Sequence, residues 1–339
     1  MKAKFQNRLV DASKKSDLGQ VLPLEAPFVL MVDPSSRCNF QCRFCPTGDR
    51  KLIESTGRYQ GPMSLDLFKK IIDDVNEFKS PIKVLRLYKE GEPLMNKQFP
   101  EMIEYARKSE KVLRIDTTTN GALLNPRISE RVIAAGIDQI NISVNGVEDQ
   151  HFTQLVRSRV DFTKYVENVR YLYQIRGKCE IYVKAIAENL SPEDQKKFLD
   201  VFGEIADRVY LEHLSPLWPS FKFDEIPMEF TAGHYGQKIE DRAACPYIFY
   251  IMVINSDGSV SLCVQDWSRG LVVGSAKEES VKSIWLGHRI DAYRLKHLEG
   301  CRSSDPICGP CQCMSHGVTE NIDSSAQAIR TRLLAKEYH

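Results

Sequence analysis

Residues 28–45 read FVLMVDPSSRCNFQCRFC and join a short apolar run to three closely spaced cysteines. The run at residues 28–32 is apolar throughout and is bounded by prolines, so it predicts a buried strand. Spacings of three and two residues allow one loop to wrap three thiolates around a common centre, as iron–sulfur ligation requires. The sequence therefore predicts a strand that ends in a metal-binding loop with Cys38, Cys42 and Cys45.

This loop has three thiolates and no fourth ligand nearby. The nearest downstream histidine is His151. Three protein thiolates would leave one iron of a [4Fe–4S] cluster open to an exogenous ligand. A structural zinc site would instead close with a fourth cysteine or histidine. The pattern favours a reactive iron–sulfur cluster over a zinc site.

Similar apolar runs recur over the first two thirds of the chain and alternate with amphipathic segments. Residues 68, 71, 72 and 75 share one helix face after the N-cap Ser64, and Ser191 opens another helix. Strands alternating with helices predict a parallel sheet built of right-handed βαβ units. We expect an α/β fold, either an open three-layer sheet or a partial barrel, with strands at 28–32, 84–88, 112–115, 139–144, 180–186 and 209–211.

Polar or glycine-containing segments follow four of these strands. Each segment alone could be an ordinary turn. Ligands of parallel α/β folds bind at the carboxyl edge of the sheet, so together the segments predict one site assembled from several loops. The segments are the cysteine loop, residues 89–93 (KEGEP), residues 117–121 (TTTNG) and residues 143–146 (SVNG).

The alternation of strands and helices stops near residue 215, and a second unit begins at Cys245. Residues 250–263 read YIMVINSDGSVSLC, which predicts a β-hairpin with Cys245 and Cys263 at its open ends. Cys308 and Cys311 would complete four ligands of a closed iron–sulfur or zinc site. We expect an N-terminal extension (1–26), a βα unit (27–215), a linker (216–244), a cysteine-rich unit (245–325) and a C-terminal tail (326–339).

The composition is that of a globular protein without a strong charge. The 339 residues are 42% hydrophobic and 27% charged, and the formal net charge is +1. With this charge balance, the protein has no overall electrostatic field that would attract it to nucleic acid or to an anionic membrane. No apolar run approaches the roughly 18 residues of a membrane span, and the charged N-terminus lacks the apolar core of a signal peptide. We expect a cytoplasmic protein whose ten cysteines bind metal rather than form disulfides.

These motifs resemble the radical S-adenosylmethionine (SAM) superfamily, whose signature is three cysteines spaced three and two residues apart with an aromatic residue before the last. Residues 91–93 resemble its glycine-glutamate-proline motif, although Glu90 stands where a first glycine is usual. The resemblance implies a partial (β/α)6 TIM-like barrel that cleaves SAM reductively at a [4Fe–4S] cluster on the three cysteines. It also implies SAM contacts at Phe44, Gly91, Glu92, Pro93, Asn120, Ser143 and Asn145.

The C-terminal unit resembles the SPASM and Twitch domains of the same superfamily. Twelve residues separate Cys245 from Gly258 and four separate Gly258 from Cys263, as the opening SPASM pattern expects. The later cysteine pair of the full pattern is missing, which resembles the shorter Twitch form. Cys301 and Cys313 are left over and could replace a ligand or pack as small apolar residues. The resemblance implies one auxiliary [4Fe–4S] cluster on Cys245, Cys263, Cys308 and Cys311.

The resemblance further implies that a 5′-deoxyadenosyl radical abstracts a hydrogen atom from a substrate C–H bond. If that carbon carries a hydroxyl, loss of a proton to a base and of an electron to the auxiliary cluster gives a ketone, as in the 2-deoxy-scyllo-inosamine dehydrogenases, which this chain resembles. Our hypothesis is oxidation of a small polar metabolite similar to a sugar or cyclitol, with a reducing partner such as flavodoxin or ferredoxin. Candidate bases are Lys184, Glu212 and His213.

Two alternatives fit the same resemblance. Many SPASM and Twitch enzymes crosslink or epimerise ribosomally made peptides, and a peptide epimerase could use Cys301 or Cys313 as hydrogen-atom donor. About 27 residues precede the first predicted strand. Because this is too short for a peptide-recognition domain, it favours a small substrate. The other alternative is a redox-neutral rearrangement, epimerisation or elimination on a carbohydrate or nucleotide. A purely structural electron carrier is disfavoured because it has no use for a SAM site.

Overall fold

A computed structural model describes residues 1–8, 16–222, 230–317 and 320–339. The predicted linker at 216–244, with the region around residue 227, thus lies partly outside the described residues. Strands within the described ranges form one ten-stranded sheet. They are β1 (Lys4–Phe5), β2 (Val29–Val32), β3 (Val84–Leu87), β4 (Ile115–Thr119), β5 (Gln139–Ser143), β6 (Glu180–Ile186), β7 (Arg208–Glu212), β8 (Ile251–Ile254), β9 (Ser259–Ser261) and β10 (Val272–Ser275).

Helices connect the strands from β2 to β7 and leave these strands parallel to one another. The sheet order is β1-β7-β6-β5-β4-β3-β2-β8-β9-β10. The expected partial (β/α)6 barrel is therefore confirmed. The helices are α1 (Leu18–Val21), α2 (Arg50–Ser55), α3 (Leu65–Val75), α4 (Phe99–Arg107), α5 (Pro126–Ala134), α6 (Asp149–Val156), α7 (Phe162–Ile175), α8 (Pro192–Phe202), α9 (Tyr247–Tyr250), α10 (Val281–Trp285), α11 (His288–Leu298), α12 (Cys313–His316) and α13 (Ala326–Leu334).

Local sequence explains where two of these helices begin. The hydroxyl of Ser64 accepts a hydrogen bond from the N–H of Leu67 at 3.3 Å and caps α3. Ser191 caps α8 in the same way through the N–H of Asp194 at 3.1 Å. The apolar face predicted for α3 is buried against the sheet, which confirms the amphipathic pattern.

The third predicted strand was misplaced. It was expected at 112–115, but β4 begins at Ile115 and runs to Thr119. Val112 forms only an isolated bridge with Ile82. The threonines continue the strand because their hydroxyls find hydrogen-bond partners on the neighbouring strand: Thr117 Oγ1 donates to the carbonyl of Leu87 at 2.8 Å. A polar strand end was therefore mistaken for a loop.

The cysteine-rich unit continues the barrel sheet. The predicted hairpin is present, since β8 and β9 pair antiparallel. Strand β8 also pairs in parallel with β2, with Val29 opposite Ile251 and Val32 opposite Ile254. Strand β10, which was not predicted, pairs with β9. At the other edge β1, within the predicted N-terminal extension, pairs with β7. The boundaries at 27–215 and 245–325 stay predictions.

Every second residue of the barrel strands faces the interior. In β6, the carboxyl-terminal residues Lys184, Ala185 and Ile186 line one cavity, and Glu180 at the start of the strand lines another. Interiors of this kind are commonly filled by branched aliphatic residues. Here arginine, lysine, aspartate, asparagine and glutamate occupy many of the inward positions, so the barrel can bind a polar ligand. Among the described helices, none combines the length and apolar character that crossing a bilayer requires.

Candidate active site

The first cysteine loop is closed by its own backbone. The N–H of Cys45 donates to the carbonyl of Cys42 at 3.3 Å, and the N–H of Gly48 donates to the carbonyl of Cys45 at 2.9 Å. A Cβ atom at Gly48 would collide with the carbonyl of Cys42, so the turn requires glycine here. The three cysteine side chains consequently lie close together at the carboxyl end of β2.

Electrostatics within this loop fit an iron–sulfur cluster. Burial, then the neighbouring thiolates of Cys45 and Cys38, raise the pKa of Cys42 well above its ordinary value. Converging buried thiolates of this kind require a compensating metal centre. Within the described ranges, no three His, Cys, Asp or Glu side chains converge tightly enough for a single ion. A four-iron cluster is larger than one ion and suits the wider arrangement.

The loop at residues 91–93 packs on the cysteine loop. A Cβ atom at Gly91 would collide with the carbonyls of Ser35 and Arg37. The N–H of Glu92 donates to the carbonyl of Arg37 at 2.8 Å. Pro93 is buried and begins a short 3-10 turn, Pro93–Met95. Glycine at position 91 therefore permits the contact between the two loops.

The side chain of Glu92 connects strand ends. Its carboxylate accepts hydrogen bonds from Thr119 Oγ1 at 2.6 Å, from the N–H of Asn120 at 2.7 Å and from the N–H of Leu94 at 3.1 Å. Burial outweighs these hydrogen bonds and raises the pKa of Glu92 to about 7. Asn120 donates through Nδ2 to Asn39 Oδ1 at 2.8 Å. Glu92 and Asn120 thus position the cysteine loop and do not line the cavity described next.

A cavity of about 330 Å³ opens at the carboxyl end of the barrel strands, and we call it the barrel cavity. Three of the predicted SAM contacts, Phe44, Ser143 and Asn145, line one part of it. Gln265 and Cys313, from the cysteine-rich unit, line another part. The cavity therefore lies between predicted SAM contacts and the cysteine-rich unit.

Two of the three candidate bases meet in the barrel cavity. Lys184 Nζ lies 2.5 Å from Glu212 Oε2, and His234 Nε2 lies 3.1 Å from the same oxygen. Burial alone would raise the pKa of Glu212, but Lys184 and His234 outweigh it and hold that pKa well below the ordinary value. Glu212 is therefore a stable anion between two nitrogen groups.

The third candidate, His213, lies elsewhere. Its side chain is 39% exposed, and Nδ1 pairs with Glu188 Oε1 at 2.8 Å. It follows Glu212, the last residue of β7, and does not line the barrel cavity. His234 takes the place expected of His213 and donates through Nδ1 to the carbonyl of His213 at 2.8 Å. Sequence reasoning missed His234 because it lies in the predicted linker, where no strand register marks it.

The four predicted auxiliary ligands form one mutually interacting group. Burial, then the thiolates of Cys263, Cys311 and Cys308, raise the pKa of Cys245. Burial and the thiolates of Cys263 and Cys311 likewise raise the pKa of Cys308. Burial and the thiolate of Cys311 raise the pKa of Cys263. Every pair among the four is thus close enough to interact, as ligands of one cluster must be.

The two surplus cysteines differ from each other. Cys301 is exposed on the surface. Cys313 is buried, accepts a hydrogen bond from Gln265 Nε2 at 3.3 Å and faces the barrel cavity. Its pKa is raised by burial and then by Cys311, Cys263 and Cys245. Cys313 therefore lies beside the auxiliary cysteines and also lines the barrel cavity.

A buried charge cluster joins the two cysteine units, and sequence reasoning did not anticipate it. Glu90 Oε1 lies 2.6 Å from Lys89 Nζ, and Glu90 Oε2 lies 2.9 Å from both Arg58 Nη1 and Arg269 Nη2. Burial would raise the pKa of Glu90, but the three cations outweigh it and lower that pKa. The unusual residue at position 90 is therefore fully compensated by cations.

Comparison with known proteins identifies both units. Residues 32–191 match the radical SAM superfamily, and residues 245–314 match the SPASM iron–sulfur cluster-binding domain. The PqqA peptide cyclase of Granulibacter bethesdensis is 30% identical over 338 aligned residues, which cover 88% of this chain and 86% of that protein. The chain spans 28% of the Fe-coproporphyrin III synthase and 64% of the AdoMet-dependent heme synthase of Methanosarcina barkeri.

Solved structures share the fold. BtrN in complex with AdoMet and 2-DOIA is 19% identical with a TM-score of 0.54, covering 87% of this chain and 96% of that one. SuiB of Streptococcus suis bound to precursor peptide SuiA is 14% identical with a TM-score of 0.63, covering 92% and 78%. At these identities the likeness concerns the fold. The chain therefore belongs to the radical SAM superfamily, carries a SPASM iron–sulfur domain, and uses SAM and [4Fe–4S] clusters as its cofactors.

Proposed function

We propose that this enzyme oxidises a hydroxyl-bearing carbon of a small polar metabolite and passes the released electron to the auxiliary cluster. One observation carries the proposal: the barrel cavity is bounded by predicted SAM contacts, by the Lys184–Glu212–His234 group and by residues of the cysteine-rich unit. A substrate in this cavity would touch a hydrogen-atom acceptor, a proton acceptor and the neighbourhood of an electron acceptor. These are the three groups that oxidation of an alcohol to a ketone requires.

When bound, SAM and the two clusters would supply a 5′-deoxyadenosyl radical and an electron acceptor. The atoms then balance: the substrate carbon loses one hydrogen atom, its hydroxyl loses one proton, and one electron leaves. The protein groups act on the proton. Glu212 stays ionised between Lys184 and His234, and its lowered pKa makes it a weak proton acceptor; it would orient Lys184, whose amine in the neutral form would accept the proton released by the hydroxyl. The aromatic walls at Phe44 and Tyr247 would help to exclude water.

An anaerobic assay tests this proposal. The reconstituted enzyme would be incubated with SAM, a chemical reductant and a panel of hydroxylated sugars and cyclitols. We expect equal amounts of 5′-deoxyadenosine and ketone, together with substrate-dependent reduction of the auxiliary cluster measured by EPR. Products of unchanged mass across the panel, formed with SAM turnover, would contradict oxidation and support a redox-neutral reaction.

Matched variants assign the radical step. Cys42→Ala should abolish SAM cleavage and leave the auxiliary iron in place. Cys179→Ala is the control, because Cys179 is equally a buried thiol but lies outside both cysteine groups. Retained cleavage in Cys42→Ala would remove the assignment of the first cluster.

We also propose that an acidic one-electron carrier such as flavodoxin or ferredoxin reduces the first cluster in the cytoplasm. A second opening of about 260 Å³ lies beside Cys42 and Cys45 and is lined by Arg43, Arg157 and Lys222. Basic side chains at this place suit an acidic carrier. All ten cysteines are free, in keeping with a reducing compartment.

Peptide modification is the second candidate, favoured by the similarity to the PqqA peptide cyclase over most of both chains. Its distinguishing requirement is a peptide that reaches the barrel cavity. The same anaerobic assay with pools of short peptides of acidic, basic and aromatic composition separates the two candidates. Formation of 5′-deoxyadenosine that depends on peptides and not on sugars would favour this candidate.

A further inference from the structure

Two arginines at the floor of the barrel cavity share one carboxylate. Arg8 Nη2 lies 3.4 Å from Asp116 Oδ2, and Arg86 Nε lies 3.5 Å from the same oxygen. Both arginines line the barrel cavity. Asp116 does not line the barrel cavity; it lines a different cavity, of about 660 Å³, at the amino-terminal ends of the strands, and both arginines reach that cavity as well. The barrel cavity is therefore lined by the two arginines but not by the carboxylate that they share.

The two lysine side chains of this cavity lie closer to their carboxylates. Lys184 pairs with Glu212 at 2.5 Å, and Lys89 pairs with Glu90 at 2.6 Å. Among the described residues of the cavity wall, Glu212 is the only carboxylate. Arg8 and Arg86 are thus the basic side chains of this cavity that lie farthest from a carboxylate.

A comparison within the barrel shows that this arginine pair is poorly satisfied. One layer lower, Arg208 and Arg114 share Glu180, with Arg208 Nε at 2.7 Å, Arg208 Nη2 at 3.0 Å and Arg114 Nη2 at 3.2 Å. Charge-assisted hydrogen bonds are typically about 2.7–2.9 Å long, which the lower pair approaches. The contacts to Asp116, at 3.4 Å and 3.5 Å, are longer.

The surroundings suit a bound oxyanion. The guanidinium of Arg8 lies 5.3 Å from the ring centre of Tyr88, which also lines the barrel cavity. Two like charges in a buried site repel each other strongly because the local dielectric constant is low. An oxyanion between them would accept hydrogen bonds from guanidinium N–H groups, whose forked geometry matches a carboxylate or a phosphate.

We propose that Arg8 and Arg86 bind an oxyanion, a carboxylate or a phosphate, that the substrate itself carries. The substrate class is then a polyhydroxylated acid or phosphate ester rather than a neutral or cationic sugar. This inference rests on the proposed function, because that function assigns the barrel cavity to the substrate. The anion sits at the cavity floor, and the hydroxyl-bearing carbon faces the Lys184–Glu212–His234 group and the radical source.

Equilibrium binding tests the inference without turnover. Calorimetry on the anaerobically reconstituted full chain with SAM would compare glucose 6-phosphate, glucuronate and glucose. We expect at least one anionic probe to bind about 10-fold or more tightly than glucose, as a charged hydrogen-bonded group would give. Whichever anionic probe binds more tightly identifies the oxyanion of the substrate as a phosphate or a carboxylate. Equal affinity for all three probes would overturn the inference.

Variants locate the anion. Arg86→Gln and Arg8→Gln should each weaken binding of the anionic probe about 10-fold to 100-fold and leave glucose binding unchanged. Arg114→Gln is the matched control, since it removes a barrel arginine that shares a carboxylate but lies outside the barrel cavity. Arg8 belongs to a terminal segment, so its variant serves if Arg86→Gln fails to fold. An equal loss in Arg114→Gln would move the anion to the other cavity and overturn the assignment.

The outcomes separate this inference from the proposed function. Selective anion binding that depends on Arg8 and Arg86, without ketone formation from any bound sugar, supports the inference and rejects the oxidation. Ketone formation from neutral sugars only, with no preference for anionic probes, supports the oxidation and rejects the inference.

Discussion

Arg269, in the loop that follows Cys263, donates a hydrogen bond at 2.9 Å to the carboxylate of Glu90, in the loop that packs on the first three cysteines. Arg58 reaches the same carboxylate oxygen and also donates to the carbonyl of Trp267 at 2.7 Å. One buried carboxylate thus joins the radical cluster loop to the auxiliary cysteine unit. The residue that departs from the family motif is the one that makes this connection.

Removing this carboxylate's charge should destabilise the protein. Glu90→Gln leaves Arg58, Lys89 and Arg269 buried with less compensation, and we expect a loss of about 3–5 kcal/mol in the free energy of unfolding. Denaturant unfolding measures it. Glu104→Gln is the control, because Glu104 pairs with Lys108 at 3.2 Å on the surface, where the expected cost is under about 0.5 kcal/mol. Equal losses of unfolding free energy in the two variants would show that the buried charge cluster around Glu90 stabilises the protein no more than a surface ion pair does.

Asp33 should make stability depend on pH. Burial, then repulsion from Glu90, raise the pKa of Asp33 to about 7, and both its oxygens lack hydrogen-bond partners. Unfolded aspartate titrates near about 4, so the folded protein binds more protons between about pH 4 and 7. Stability from this group is therefore lost as the pH rises through that window, at up to about 1.4 kcal/mol per pH unit.

Asp33→Asn tests the pH effect. Unfolding free energies at several pH values between 4 and 8 should show a flatter dependence in this variant than in the wild type. The comparison is of slopes, so a uniform change in stability does not affect it. An unchanged slope would mean that Asp33 titrates at its ordinary value.

Gly91→Ala should impair the first cluster. A methyl group at this position meets the carbonyls of Ser35 and Arg37, which are backbone atoms and cannot rotate away. We expect loss of iron from the first site and loss of SAM cleavage, measured by iron quantitation and EPR. Gly57→Ala is the control, since it faces open space and costs only about 1 kcal/mol for its left-handed backbone.

The auxiliary cluster should depend on Cys308 and not on Cys313. Cys308→Ser removes a member of the mutually interacting group of four, so iron and sulfide content should fall by about one cluster. Cys313→Ser should retain the iron, because the four other thiols remain. The reverse pattern would make Cys313 the ligand and Cys308 the surplus thiol.

Glu212→Gln should slow substrate oxidation and spare the radical step. Neutralising this anion leaves Lys184 and His234 without their shared partner, and a misplaced proton acceptor typically costs about 100-fold or more. Product formation and 5′-deoxyadenosine formation, measured together, separate the two steps. His213→Gln should leave both rates unchanged, since His213 pairs with Glu188 outside the cavity. A similar loss in both variants would assign the effect to general disturbance.

Local patterns were sufficient to predict a parallel α/β fold, but they left an open sheet and a partial barrel both possible, and only the family resemblance implied the barrel. Apolar runs marked β2, β5 and β6 because buried parallel strands are continuously apolar or alternate regularly. The Asp257–Gly258 turn marked the hairpin because its geometry favours those residues. The position of β4 was predicted wrongly because its threonine hydroxyls donate hydrogen bonds to the end of β3 and to the loop after it, and an apolar pattern does not detect such bonds.

The parts that sequence reasoning missed depend on contacts between distant segments. Glu90 and Arg269 are separated by 179 residues, and nothing near either residue indicates the other. His234 reaches Glu212 from a segment without regular structure. Arg86 offered a local signal, since a charged residue within the run VLRLY has to face a polar interior. That signal was not used.

The pairing of β2 with β8 has a consequence for truncation. Strand β2 is apolar at all four positions and is hydrogen-bonded on both sides, by β3 and by β8. Deleting the chain from residue 245 onward would remove β8 and make β2 an unpaired apolar edge strand of the remaining sheet. Such edges pair with other molecules. The cysteine-rich unit therefore protects the barrel from self-association, quite apart from any cluster that it holds.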